Sequence, residues 1–130
     1  MTLLFLHASQ TFNLPPKLLD SVCFIETKHD VFAVHQDDGG SKSLGVCQVK
    51  YKTARWLGFQ GTEGELMEPG LNIYYAAKYL SYQQRRYKNI QRAVVAYNRG
   101  NAKNLQTTAY SVKVINQWKV ASSERRTAGI

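Results

Sequence analysis

Cysteine and histidine are scarce in this sequence, and neither is spaced as in a common metal site. The 130 residues include two cysteines, Cys23 and Cys47, and three histidines, His7, His29 and His35. Two cysteines are too few for a disulfide scaffold, and their separation does not match the C-x-x-C pattern of a zinc site. The histidines form no H-E-x-x-H or H-x-x-x-H pair. We therefore predict that the protein has no metal site.

Long hydrophobic runs are also missing. No apolar stretch approaches the ~18 residues that a membrane span requires. The N-terminal segment MTLLFLHAS is apolar for only a few residues and lacks a positively charged start, so we interpret it as part of a first helix and not as a signal peptide. We expect no stable insertion into a membrane.

Acidic residues are few compared with basic ones. The sequence has 9 Asp and Glu against 17 Lys and Arg, which gives a net charge of +8. This charge favours an anionic partner, but it does not distinguish between nucleic acid, a membrane surface and an acidic polymer. Between Arg99 and Arg126 there are six basic residues and one acid, yet no Lys/Arg block resembles a nucleic-acid-binding arm. We expect no nucleic-acid partner.

The sequence does contain several helical periodicities, which surround one turn-rich segment. Hydrophobic residues make up 44% of the chain, which is a globular composition, and the length suits one domain with one core. We predict a mostly α-helical (α+β) domain over residues 1–120, with a small irregular or β-hairpin region between about residues 29 and 50, and a flexible tail over residues 121–130. The predicted helices, after the first, run from Asn13 to about Lys28, over residues 51–58, from Leu71 to about Tyr87, from Ile90 to Asn98, and from about Ala109 to Val120.

Glu26 occupies the apolar face of the second predicted helix. Leu19, Val22 and Cys23 recur at helical spacing, and Glu26 takes the next position of that stripe. Burial favours the neutral form of a carboxyl group, and a neutral carboxyl group can act as a general acid that protonates a leaving oxygen. The alternative is a helix-end glutamate that reaches water or pairs with Lys28 or a nearby arginine.

A group of neutral polar residues follows in the turn-rich segment. Ser41, Ser43 and Gln48 surround Gly45, where the missing side chain lets the backbone approach a ligand closely. Neutral polar side chains suit an acetamido sugar, which offers amide and hydroxyl groups but little charge. The alternative is an ordinary turn followed by a strand.

Tyrosines supply the remaining candidates. Tyr97 and Asn98 end an apolar helix just before Gly100, and Tyr97 can either donate a hydrogen bond to a buried carboxylate or pack in the core. Five more tyrosines lie between residues 74 and 87. Most of them are expected in the core, with one or two lining a groove for a glycan; Tyr79 is the candidate we select.

The order and spacing of these elements together resemble a known family. Gly-Val-Cys-Gln begins 19 residues after Glu26, and Tyr97 follows Gln48 by 49 residues. This order resembles the family-1 lytic transglycosylases, the SLT type, with their E-S, G-L-M-Q and A-Y-N signatures. It is most similar to the short variant, common in phage and proteobacterial genomes, that reads G-L-C-Q. The resemblance extends from about Leu14 to Tyr110.

The resemblance implies a lysozyme-like fold and a role for each candidate residue. Glu26 would be the catalytic acid and base, and Tyr97 would orient it. Gln48 and Asn98 would hold the N-acetyl and hydroxyl groups of the substrate. One serine of the loop, Ser41 or Ser43, would contact the carboxylate.

By the same resemblance the substrate is the glycan strand of peptidoglycan, cleaved between N-acetylmuramic acid and N-acetylglucosamine with a 1,6-anhydro product. No cofactor is needed, and we expect a monomer. Without a signal peptide, the protein would reach the cell wall as part of a phage virion or by another export route.

The sequence departs from the family pattern at three places. Thr27 replaces the usual serine after the glutamate, Val46 and Cys47 replace Leu-Met, and Arg99 stands where a small residue is usual. Cys23 and Cys47 neighbour Glu26 and Gln48, so we expect them close together, as two buried thiols in the cytoplasm or as a disulfide in an oxidising compartment. Of these two states we favour the thiols.

Three other functions fit parts of the same pattern. A goose-type lysozyme on the same fold would use Asp30, Asp37 or Asp38 to position a water molecule. A basic module with a dead site would bind nucleic acid or an anionic wall polymer. A structural virion protein is the third alternative. The lysozyme alternative requires a second carboxylate that is needed for activity. The binding-module alternative requires Glu26 to be dispensable.

Overall fold

Helices dominate the computed structural model, which describes residues 1–36 and 40–128. The helices are α1 (Thr2–Thr11), α2 (Leu18–Thr27), α3 (Tyr51–Trp56), α4 (Glu63–Leu66), α5 (Pro69–Tyr87), α6 (Ile90–Arg99) and α7 (Ala109–Ala128). Three two-residue strands, β1 (Val34–His35), β2 (Ser43–Leu44) and β3 (Val49–Lys50), lie between α2 and α3. The prediction of a mostly helical, lysozyme-like fold with a small β region is confirmed.

Helix α2 is the element that carries Glu26. The apolar stripe predicted for it is fully buried, since Leu19, Val22 and Cys23 have no exposed surface. The helix begins at Leu18 and not near Asn13, because Lys17 adopts a left-handed conformation that interrupts the chain after the two prolines. Its other end is set by Lys28, which is also left-handed, so that Glu26 lies in the last turn.

The small sheet is antiparallel, with the order β1-β2-β3. Val34 pairs with Leu44, and Leu44 pairs in turn with Val49. Leu44 and Val49 are buried, whereas both residues of β1 are exposed. The sheet therefore packs through β2 and β3, while β1 forms its outer edge.

Helix α4 was not predicted from the sequence, where residues 59–69 were expected to form a loop. Thr62 and Glu65 form a capping box, in which the Thr62 side chain accepts from Glu65 N and the Glu65 side chain accepts from Thr62 N. This reciprocal cap stabilises one short turn in a glycine-rich segment. Leu66 then fills the core from this turn.

Helix α7 is longer than predicted. It continues past Val120 to Ala128, into the segment expected to be a tail, because the sequence has no proline or glycine before Gly129 to stop it. Residues 129 and 130 lie outside the described residues. The buried residues of α7 include Ser111 and Val114, whereas Val112 is 47% exposed. The α7 face that packs toward α2 and α6 therefore includes Tyr110, Val114 and Trp118, spaced four residues apart.

Within the described part of the chain, no helix combines the length and the apolar character needed to cross a membrane.

Candidate active site

Glu26 lies where helix α2 meets the small sheet, and two links fix this junction. A disulfide joins Cys23 of α2 to Cys47, with a Cα–Cα distance of 4.3 Å. The hydroxyl of Thr27 donates to the carbonyl oxygen of Val46 at 2.8 Å. The two cysteines are therefore close together, as predicted. Our preference for free thiols was wrong, because α2 holds Cys23 directly against the loop that carries Cys47.

A tyrosine from the last helix holds the Glu26 carboxylate. The hydroxyl of Tyr110 donates to Glu26 Oε2 at 2.7 Å, across 84 residues of sequence. We had predicted this role for Tyr97. Its one hydroxyl proton is directed elsewhere, since Tyr97 donates to the carbonyl oxygen of Cys47 at 2.7 Å. The sequence contains a signal for Tyr110 in its four-residue spacing from Val114 and Trp118, which places these three residues on one face of α7.

This environment raises the pKa values of both tyrosine hydroxyls. Burial raises the pKa of Tyr97 well above its usual value, and the nearby charge of Glu26 raises it further. The pKa of Tyr110 is raised well above its usual value by the same two causes, in the same order. Both hydroxyls therefore stay protonated at neutral pH, so that each remains a hydrogen-bond donor.

The turn between β2 and β3 is built around Gly45 and Asn72. Gly45 has a φ of +77°, and a Cβ atom there would lie 2.5 Å from Asn72 Nδ2, so that only glycine fits. Asn72 is fully buried on α5. Its Nδ2 donates to the carbonyl oxygens of Leu44 and Leu66, and its Oδ1 accepts from Cys47 N. One buried amide thus holds the turn in the register that places Cys47 against α2.

Gln48 uses its amide group to hold the loop in place. Its Nε2 donates to the carbonyl oxygens of Ala33 and Gly45, at 3.2 and 3.1 Å. Its Oε1 lies 2.8 Å from His35 Nδ1. Since an amide oxygen only accepts, His35 Nδ1 carries a proton and donates to it. Gln48 also lines the cavity next to Glu26, and His35 lines it as well, although we had not selected His35 from the sequence.

A polar cavity opens beside Glu26 between the helices and the sheet. Most of the predicted site residues come together here, and Ser43 shares the cavity with Glu26. Ser41 instead accepts a hydrogen bond from Lys52 N at the start of α3. The cavity is lined by Glu26, His35, Ser43, Gln48, Val49, Lys50, Thr53, Tyr79, Tyr97, Asn98 and Gly100. Among the described residues that line the cavity, Glu26 is the one carboxylate, whereas His35 and Lys50 are basic.

The candidates for a second carboxylate are placed differently. Asp30 is exposed just past the end of α2, where its side chain accepts from Phe32 N and forms a local turn. It does not line the cavity. Asp37 and Asp38 lie outside the described residues. Arg99 is exposed and is not among the residues that line the cavity.

The raised tyrosine pKa values predict a loss of stability in alkaline solution. Unfolded tyrosines release their protons near pH 10, whereas Tyr97 and Tyr110 keep theirs in the folded state. The folded state then binds more protons than the unfolded state, so the free energy of unfolding falls as pH rises above about 10, by roughly 1.4 kcal/mol per pH unit for each such group. Below that pH their contribution is fully present.

This loss can be measured as the unfolding temperature between pH 8 and 11.5. Tyr97→Phe and Tyr110→Phe should each make the alkaline decline shallower, whatever they do to stability at pH 8. Tyr74→Phe is the matched control, because Tyr74 is 39% exposed. Equal alkaline slopes in wild type and all three variants would show that the buried tyrosines do not cause the decline.

The fold and this site define a class of protein. A mostly helical domain with a three-stranded antiparallel sheet, and with a glutamate facing a polar cavity at their junction, is a lysozyme-like arrangement. More specifically, the chain belongs to the transglycosylase SLT domain family, whose model matches residues 4–118. Members of this family act on peptidoglycan.

Two curated relatives are similar to most of this chain. Protein IpgF of Shigella sonnei is 32% identical over 97 residues, and protein IpgF of Shigella flexneri is 31% identical over 97 residues. The similar segment covers 73% of this chain and 64% of each relative. No solved structure matches the chain.

Proposed function

We propose that this protein is a peptidoglycan lytic transglycosylase in which Glu26 is both the acid and the base. The observation that carries the proposal is the placement of Glu26, which is the one acidic residue among the described residues that line a polar cavity and which has a tyrosine hydroxyl 2.7 Å from its carboxylate. A binding module would gain nothing from holding one carboxylate in this way. The chain belongs to a family that acts on peptidoglycan, and this membership supports peptidoglycan as the substrate.

The first step breaks the bond between N-acetylmuramic acid and N-acetylglucosamine. Glu26 donates its proton to the glycosidic oxygen, which leaves C1 with the bonding electrons. The carbonyl oxygen of the muramoyl N-acetyl group bonds to C1 as an oxazolinium. The substrate's own amide thus takes the place of a second enzyme carboxylate.

The second step closes the product ring. Glu26, now ionised, accepts the proton of the 6-hydroxyl of the same muramoyl sugar. Oxygen O6 attacks C1, the bond from the acetamido oxygen breaks, and a 1,6-anhydro end results. Glu26 recovers its proton, so the cycle consumes no water and needs no cofactor.

The other cavity residues fit this sequence of steps. Asn98 and Ser43 offer neutral donors and acceptors for N-acetyl and hydroxyl groups, and Tyr79 offers a ring on the wall of the cavity. Gln48 is assigned mainly to positioning the loop, because both ends of its amide are engaged there. Tyr110 is a positioning residue for Glu26.

The compartment and the assembly state are also proposals. A disulfide persists in an oxidising environment such as the bacterial periplasm, and peptidoglycan lies in that environment. We propose that the protein acts there as a monomer.

Product analysis tests the reaction directly. Digestion of purified peptidoglycan should release muropeptides that end in 1,6-anhydro-N-acetylmuramic acid, because O6 and not water attacks C1. Mass spectrometry measures this, since an anhydro end is lighter than a reducing end by one water. Mainly reducing ends, with activity lost in Asp30→Asn, Asp37→Asn or Asp38→Asn, would instead make the protein a goose-type lysozyme.

A further inference from the structure

A second polar cavity lies on the opposite face of α5 from the cavity that contains Glu26. Tyr79 lines the Glu26 cavity, whereas Ser81, which follows it by about 200° of rotation around the helix, lines the second one. The second cavity has a volume of about 540 Å³, compared with about 390 Å³ beside Glu26, and no described residue lines both. It is lined by Thr11, Phe12, Asn13, Ser81, Gln84, Arg85, Lys88, Asn89 and Ile90, and we call it the rear cavity.

The charged residues of the rear cavity are both basic. They are Arg85 and Lys88, and neither has an acidic partner among the described residues. The sequence explains this, because residues 69–123, which include α5, α6 and most of α7, contain nine lysines and arginines and no aspartate or glutamate. Two cations without a counter-charge at the wall of a cavity favour an anionic ligand.

Arg85 is held at the wall of the cavity by a chain of hydrogen bonds. Its Nη1 donates to Ser81 Oγ at 3.0 Å, and the Ser81 hydroxyl donates in turn to the carbonyl oxygen of Phe12 at 3.1 Å. Ser81 is buried, so these bonds connect the guanidinium to the end of α1. A guanidinium has several N–H donors in a planar fork, and those not used here suit a carboxylate.

The rest of the lining is mainly neutral and polar, with three amide side chains, from Asn13, Gln84 and Asn89. Gln84 Oε1 is shielded from solvent and has no hydrogen-bond partner among the described residues. Since Gln84 as a whole is half-buried, its side chain can turn this oxygen toward an N–H donor in the cavity. A phosphodiester offers only acceptors, whereas a peptide offers both N–H groups and carboxylates. The rear cavity therefore suits an acidic peptide better than a nucleic acid or a lipid headgroup.

We propose that the rear cavity binds the stem peptide of a second peptidoglycan strand. A carboxylate of the peptide pairs with Arg85 and Lys88, and a peptide N–H donates to Gln84 Oε1. Because α5 separates the two cavities, this peptide belongs to a strand other than the one held beside Glu26. The protein then holds two neighbouring strands of the cross-linked wall while it cleaves one. This proposal rests on the proposed function, since that function makes peptidoglycan the substrate.

Binding is tested with a stem peptide that carries no sugar, so that the Glu26 cavity is not engaged. In a ¹⁵N-labelled wild-type protein, the peptide should shift the backbone amide signals of Ser81, Gln84 and Lys88 and leave those of Gly45 and Asn98 unchanged. Shifts of Gly45 and Asn98 alone, or no shifts, would overturn the proposal. The same peptide with its carboxylates amidated should not bind. Inorganic phosphate that binds as tightly as the peptide would show a site for any small anion and overturn the assignment to a peptide.

The charge is tested with Lys88→Gln, which should weaken peptide binding by about 10-fold through loss of one charge-assisted contact. Lys113→Gln is the matched control, because it removes the same charge from an exposed position of α7 outside the rear cavity. An equal loss of affinity in both variants would show that overall charge, and not the rear cavity, attracts the peptide.

Gln84→Met separates a binding role from a structural one. It removes an oxygen that has no partner in the free protein, so the unfolding temperature should not fall, whereas the affinity for the peptide should fall. A lower unfolding temperature with unchanged affinity would overturn the role of Gln84.

Cleavage shows whether the rear cavity serves the reaction. Lys88→Gln should slow the cleavage of intact, cross-linked peptidoglycan by up to about 10-fold, the factor lost in affinity, and leave the cleavage of isolated strands without cross-links unchanged. Equal rates for wild type and Lys88→Gln on both substrates would refute the rear cavity as a site for the wall. Failure of the proposed function would appear differently, as a wild-type protein that binds the peptide but releases no anhydro ends.

Discussion

Glu26→Gln is expected to reduce cleavage of peptidoglycan by about 10²–10⁴-fold while leaving the fold intact. Glutamine has nearly the same shape, and its amide can still accept the hydrogen bond that Tyr110 donates. It cannot transfer a proton to the glycosidic oxygen or remove one from the 6-hydroxyl. Both proposed steps use the same carboxyl group, and none of the other described residues that line the cavity carries one. Turbidity of a peptidoglycan suspension measures the loss.

The charge change needs its own control. Glu124→Gln alters the net charge by the same amount on the exposed surface of α7, outside the cavity, and should leave activity at the wild-type level. Circular dichroism and the unfolding temperature of Glu26→Gln report whether the fold is preserved. A folded Glu26→Gln variant that clears peptidoglycan as fast as wild type would show that another group performs the proton transfers.

Local patterns in the sequence were enough to predict most of the helices and the position of Glu26. The stripe of Leu19, Val22 and Cys23 determines which side of α2 faces the core, and Glu26 continues that stripe at its edge. Periodicity and turn residues also predicted the extent of α5 and α6 and the place of the small sheet, but not the start of α2 or the end of α7. The short helix α4 was missed because its stability comes from one capping box, which is a local hydrogen-bond pattern with no apolar periodicity.

The partners of the site residues were harder to predict. Tyr97 and Tyr110 are both tyrosines near the ends of helices, and their sequence positions do not say which hydroxyl meets Glu26. That choice depends on how α6 and α7 pack against α2, which is a property of the whole fold. The hydrogen-bond partners of Gln48 and Asn72 were equally hard to predict. Both amide side chains bind backbone groups that only the folded turn brings near them.

Loss of the disulfide should have the largest effect on stability. Cys23→Ala/Cys47→Ala opens a bridge that spans 24 residues of sequence, and a loop of this size contributes about 3 kcal/mol through the entropy of the unfolded chain. The unfolding temperature should fall by roughly 10 °C in a domain of this length. The loss also bears on the site, since the bridge ties the helix that carries Glu26 to the loop that carries Gln48. Thermal unfolding followed by circular dichroism measures it.

The bridge can be separated from the packing of the two side chains. Cys23→Ala and Cys47→Ala alone should each cost nearly as much as the double variant, because either one breaks the same bond, and reduced wild type should unfold at nearly the temperature of the double variant. Single losses that add up to the double loss would instead assign the stabilisation to packing of two independent side chains. Wild type that unfolds at the same temperature with and without reductant would show that the bridge contributes nothing. Since the Thr27–Val46 hydrogen bond also joins α2 to the loop, we expect the double variant to keep measurable activity at temperatures where it is still folded.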